Sequence, residues 1–117
     1  MVSDIERLQA AIREFARQRD WHQFHTPKNL AMALAAEAGE LLEIFQWLTP
    51  EESNLQESLG AHDSAKAEIA DVLIYAIRLA DVLQIDLVEA VESKIQLNAT
   101  KYPVEHAQGN ATKHSRG

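Results

Sequence analysis

The 117-residue chain has no cysteine. Disulfides, thiolate metal sites and cysteine nucleophiles are therefore excluded, and any metal must be held by oxygen or imidazole. Positive charge is scarce, with 11 Lys and Arg against 18 Asp and Glu for a formal net charge of −7. That balance argues against a nucleic-acid polymer as ligand, because such binding needs a basic surface to displace counterions. No uncharged apolar run approaches the ~18 residues of a membrane span, and the N-terminus lacks a basic region followed by an apolar core. A cytoplasmic protein with no membrane partner is the expectation. The five histidines include no helix-spaced ligand pair, and no segment shows a convincing strand alternation.

What is present is ordinary globular material, 46% hydrophobic and 25% charged, of a length that suits one domain with a real core. Ser3-Asp4-Ile5-Glu6 reads as a capping box opening a helix that carries Ile5, Leu8, Ile12 and Phe15 on one stripe and ends near Arg19. The aromatic connector Trp21-His22-Gln23-Phe24-His25 follows. Thr26-Pro27 then starts a second helix that is expected to run to about Leu48, with Pro27 at the first helical position. Gly39 inside it costs ~1 kcal/mol of helix propensity relative to Ala, for which helix packing or the approach of a ligand offers a reason. Thr49-Pro50-Glu51-Glu52 predicts a short turn, and the polar stretch 53–62 predicts the longest loop. A third helix is expected from Asp63 or Ser64 to about Leu83. A fourth, capped by Asp86 with Glu89, should end before Tyr102-Pro103. Residues 104–117 read as an irregular tail after a domain spanning 1–103.

Four helices without strands predict an all-α bundle. In the third helix Ile69, Leu73, Ile74, Ile77 and Ala80 extend the apolar surface well beyond the stripe of Val72, Leu79, Val82 and Leu83. A helix apolar nearly all round must be buried on several sides, so a dimer or larger assembly is expected.

Into these apolar helices the chain sets two acidic pairs, Glu37-x-x-Glu40 and Glu68-x-x-Asp71. At ~100° per residue, Glu37 falls in the middle of the stripe formed by Leu30, Leu34, Leu41, Ile44 and Leu48, and Glu40 at its edge beside Ala33 and Trp47. Glu68 falls among Ala65, Val72, Leu79 and Leu83, with Asp71 and Tyr75 along one border. A Glu-x-x-Glu on a helix is usually a solvated face, but ionised carboxylates aimed at a core are costly unless neutralised. Lys94 and Lys101 do not comfortably offset four acids. A divalent cation does, and hard oxygen donors favour Mg²⁺, with Mn²⁺ as the alternative, over Zn²⁺. Mg²⁺ is commonly shared between carboxylates and substrate phosphates, where it presents an activated water to phosphorus.

These pairs resemble the metal signature of the all-α nucleotide pyrophosphohydrolases, the MazG-like superfamily. The surroundings resemble its dCTP pyrophosphatase branch: Arg19-Asp20-Trp21-x-Gln23-Phe24-His25-x-Pro27-Lys28-Asn29-Leu30, Gly39-Glu40-Leu41-x-Glu43-x-Phe45-Gln46-Trp47, Asp71-Val72-Leu73-Ile74-Tyr75 and Lys94-x-x-x-Asn98-x-x-Lys101-Tyr102-Pro103. The likeness runs from about Leu8 to Lys113. It implies cleavage of a nucleoside triphosphate to the monophosphate and pyrophosphate, with Glu37, Glu40, Glu68 and Asp71 as metal ligands and catalytic acids. Trp21, Trp47, His25 and Tyr75 are implied to enclose the base, and Lys94 and Asn98 to meet phosphate or sugar. A homotetramer with pockets between subunits is implied as well.

The bland counterparts are a core or interface Trp47, a Tyr75 hydroxyl serving the core, and a snorkelling Lys94. Rival functions are a pyrophosphohydrolase for another base, such as that of dUTP, and a non-catalytic helical metal-binding or interaction protein.

Overall fold

The computed structural model describes residues 1–111; the end of the expected tail, 112–117, lies outside the described residues. Secondary structure here is helical throughout, with no strand among the described residues, as the sequence predicts. Two compact units are present, Met1–Ile85 and the chain from Asp86 onward.

In the first unit, α1 (Asp4–Gln18) begins where the Ser3 hydroxyl accepts the Glu6 amide. Helix α2 (Pro27–Phe45) begins where the Thr26 hydroxyl accepts the Asn29 amide, with Pro27 in the first turn. It stops about one turn short of the expected Leu48. The chain then forms a reciprocal capping box in which Thr49 and Glu52 each accept the other's amide, opening a 3₁₀ turn at Glu52–Asn54. The largest difference from expectation is at α3 (Leu59–Val82), which begins ahead of Asp63 because Ser58 supplies an N-cap to the Ala61 amide. The expected 53–62 loop is correspondingly short, and it is anchored by Leu55, buried among polar neighbours.

Helix α3 packs chiefly on α2 and more sparingly on α1. Leu30, Ile77, Ala16, Ala65 and Ala80 are buried at these contacts, and Arg78 is buried with them. Both α1 and α3 end in Schellman motifs. At the first, Asp20 adopts φ 54° while the Trp21 amide donates to the Ala16 carbonyl and the Asp20 amide to Arg17. At the second, Gln84 adopts φ 57° while the Ile85 and Gln84 amides donate to Ala80 and Asp81. The reversal at Asp20 lays Trp21 edge-on against Phe15, with ring centroids 5.7 Å apart, while the Arg19 guanidinium covers the Phe15 ring at 3.6 Å. A further 3₁₀ turn, His22–Phe24, leads into α2 and is tied to it by the Asn29 amide group, which donates to the Phe24 carbonyl.

The second unit holds α4 (Leu87–Lys101), capped by Asp86 through the Glu89 amide, and one further helical turn, α5 (Val104–Ala107). A Cβ added at Gly39 would meet nothing within 4 Å, so packing of helices within the chain is not the reason for that glycine.

Candidate functional site

Packing of α2 on α3 brings one carboxylate oxygen each of Glu37, Glu40 and Glu68 within 4.8 Å of one another. Glu37 and Glu68 are half-buried and Glu40 is exposed, the division between stripe centre and border that the helical projection predicts for the first pair. One oxygen of Glu37 and one of Glu68 are buried without a hydrogen-bond partner among the described residues. A buried acceptor left unsatisfied is costly, and more so when charged.

Protonation equilibria register the crowding. The Glu37 carboxyl is pushed above its ordinary range, first by its side-chain interaction with Glu68, then by burial, with the charges of Glu68 and Asp71 adding to both. Glu40 is pushed up chiefly by the side chain and charge of Glu37. Like charges gathered this closely disfavour one another's ionised form, and a cation reverses that preference. Three residues with hard oxygen donors, two of which also carry a buried unpaired oxygen, fit a divalent ion. Asp71, half-buried one turn beyond Glu68, stands outside the 4.8 Å group but close enough for its charge to bear on Glu37.

Asp71 also borders a half-open cavity of about 530 Å³ lined by α1, the aromatic connector and α3. Its walls are almost entirely apolar, with Leu8, Ile12, Phe15, Leu73 and Ile74 prominent among them. Trp21, His25 and Tyr75, the three base-enclosing candidates from these segments, all line it. Such a volume with few polar groups is typical of a small-molecule site.

The fourth candidate, Trp47, stands beyond the end of α2 with 85% of its surface exposed and is not among the cavity's walls. Lys94 and Asn98 lie one turn apart on α4, in the second unit.

One residue of this region was absent from the sequence-based candidates. Arg78, only 6% exposed, lines the cavity and donates from Nε to His25 Nδ1 (3.1 Å), from Nη2 to His22 Nδ1 (2.6 Å) and from Nη1 to Asp81 (3.2 Å). Asp81 in turn receives both arms of Arg13, at 2.9 and 2.7 Å. These two guanidinium groups, Arg13 foremost, hold the Asp81 carboxyl below its ordinary range. The sequence signal was a lone arginine between Ile77 and Leu79 on an apolar helix, a position that demands a partner.

The chain matches the model of the MazG-like family over residues 32–115, a span that includes all four acids. It belongs to the MazG-like family. Among curated proteins it is 44% identical to dCTP pyrophosphatase 1 of Homo sapiens and of Bos taurus, over 115 residues and 97% of this chain. It spans 66% of the length of each of those relatives. Among solved structures, a pyrophosphatase from Archaeoglobus fulgidus superposes with a TM-score of 0.79 at 42% identity, covering 86% of this chain and 94% of that one.

Proposed function

We propose that this chain is a metal-dependent nucleoside triphosphate pyrophosphohydrolase that cleaves dCTP, or dCTP modified on its base, to the monophosphate and pyrophosphate. The observation that carries the reading is the pair of bare, buried oxygens on Glu37 and Glu68, set near an apolar cavity that Asp71 borders. The names of the curated relatives support the choice of substrate.

Glu37, Glu40, Glu68 and Asp71 would hold Mg²⁺, or Mn²⁺ in its place, and the ion when bound supplies charge neutralisation for the phosphates and a more acidic attacking water. The protein's own part is placement. Trp21 and Tyr75 offer ring surface to a base in the cavity, which excludes water from that end of the nucleotide. A base held there directs its phosphates past Asp71 toward the carboxylates. One of Glu37, Glu40 or Glu68 accepts the water's proton. Lys94 and Asn98 contribute to phosphate or sugar binding.

The functional unit is a homotetramer. On α3, Ile69 is 55% exposed in the isolated chain and does not line the cavity, so it is apolar surface that assembly would cover. Trp47 would gain its packing there too.

A panel of deoxynucleoside triphosphates with Mg²⁺, with pyrophosphate and monophosphate quantified, tests the reading. Release of both products, fastest from dCTP or its base-modified forms, is expected. A preference for dUTP would move the base assignment. Orthophosphate as the only product, or cation binding without turnover, would overturn the proposal in favour of other chemistry or a non-catalytic role.

A further inference from the structure

The Arg78 guanidinium has only donors, so every atom it bonds must accept. His25 Nδ1 at 3.1 Å and His22 Nδ1 at 2.6 Å both lie against it. Neither nitrogen can carry a proton while those bonds hold. A doubly protonated imidazolium is incompatible with the arrangement, and in a neutral ring the proton must sit on Nε2. For His25, half-buried on the cavity wall, Nε2–H is then the ring's one remaining polar group.

We infer that Arg78 is a positioning residue that holds His25 in the Nε2–H tautomer, so that the nucleotide cavity presents a fixed hydrogen-bond donor to an acceptor on the edge of the base. The inference rests on the nucleotide reading above and adds to it the polarity of one contact. An apolar cavity discriminates weakly between bases of similar shape, whereas a buried donor left unpaired by the wrong base is costly. A donor here matches a carbonyl or bare ring nitrogen and opposes an amino or protonated ring position.

The clamp is built to keep its geometry. Arg78 is buried along its length and its third arm is held by Asp81, which Arg13 grips from α1 with two bonds. Rotation of the guanidinium would break contacts to three side chains together. The environment of His25 favours the neutral ring as well, since burial, then the charge of Arg78, lowers its pKa.

Long-range proton–nitrogen correlation spectra of the full chain, with imidazoles labelled and His22 and His25 assigned by substitution, read the tautomer directly at pH 7.5. A bare Nδ1 and a protonated Nε2 on His25 are expected. In Arg78→Met the preference should collapse toward the mixture of a free imidazole and the ring should lose its fixed orientation. The mixture alone costs about twofold at most. With the lost orientation the KM for dCTP should rise between about twofold and about tenfold, the upper end being the whole of one neutral hydrogen bond, while kcat should change less than about twofold. Arg78→Lys, which keeps one donor, should restore part of both. Should Arg78→Met fail to fold, the pair His25→Gln and His25→Asn decides. Glutamine can place an amide donor near the former Nε2 and should keep KM within about threefold, whereas asparagine is too short and should behave like Arg78→Met. A His25 protonated on Nδ1 in the unaltered protein, equal KM values for the Gln and Asn variants, or a KM unmoved in a folded Arg78→Met would overturn the inference. If the expected tautomer occurs in a protein that hydrolyses no nucleotide, the nucleotide reading and the donor's role fall while the clamp itself stands.

Discussion

At Glu37 a carboxylate oxygen is buried beside the Glu68 carboxyl with nothing donating to it among the described residues, so neutralising that charge relieves the fold while removing a ligand. Glu37→Gln should therefore raise the thermal midpoint measured in chelator and lose most of the additional rise that Mg²⁺ gives the unaltered protein. Glu40→Gln and Asp71→Asn should lower turnover at least about a hundredfold, the scale typical of lost transition-state electrostatics, while far-ultraviolet circular dichroism remains unchanged. His25 behaves oppositely to an acid of the cluster. Its pKa is lowered by burial and by Arg78, so below the ordinary histidine value of ~6.5 the unfolded chain takes up a proton that the folded chain resists. By linkage, stability falls as pH drops from 6.5 toward the depressed folded value, and no further loss comes from this group below it. Urea titrations from pH 8 to 5 should show that limb in the unaltered protein and lose it in His25→Gln.

At the scale of elements, the helix ends do more than terminate. The Schellman reversal at Asp20 returns the chain so that Trp21 meets Phe15 and the connector reaches the cavity between α1 and α3. Neither Asp20 nor Gln84 is the glycine that such a left-handed position favours. At Asp20 the side chain is employed, since Gln23 donates to both its carbonyl and its carboxylate. Among the described residues no hydrogen bond of the Gln84 side chain offsets its cost, so Gln84→Gly should stabilise the chain by about 0.5–1 kcal/mol, read as a higher urea midpoint with an unchanged slope. The same substitution at Asp20 should gain less, because the Gln23 contact to its carboxylate is lost.

At the scale of the whole molecule, one chain leaves apolar side chains uncovered, among them Ile69 of α3, 55% exposed, and Trp47, 85% exposed. Light scattering should give a mass near four times the 13.1 kDa chain. Trp47→Ala should raise the KM for dCTP several-fold with circular dichroism intact. An unchanged KM together with lost assembly would make Trp47 an interface residue alone. The two acidic pairs and the cavity lie within the first unit, while Lys94 and Asn98 reside on the second.

Much of the molecule was legible from local chemistry. Ser3, Thr26 and Asp86 mark helix starts because a side-chain oxygen satisfying an amide three residues on is a local event. The 3.6-residue period alone separated a central Glu37 from a peripheral Glu40, and the exposures agree. Ser58 gives a weaker local signal, because it sits inside the mostly polar stretch 53–62 and Gly60 follows two residues later, yet it caps α3 through the Ala61 amide. Sequence by itself determined the helical class, the acidic pairs and the chemistry that carboxylates without cysteine permit. Only the tertiary structure decided that Glu68 closes on Glu37, that Asp71 stands between acids and cavity rather than in the tight cluster, and that Arg78 seizes two histidines more than fifty residues away. Spacing along one helix sets which face a residue occupies, whereas the partner across an interhelical contact is set by how two helices pack, which no single stretch of chain encodes.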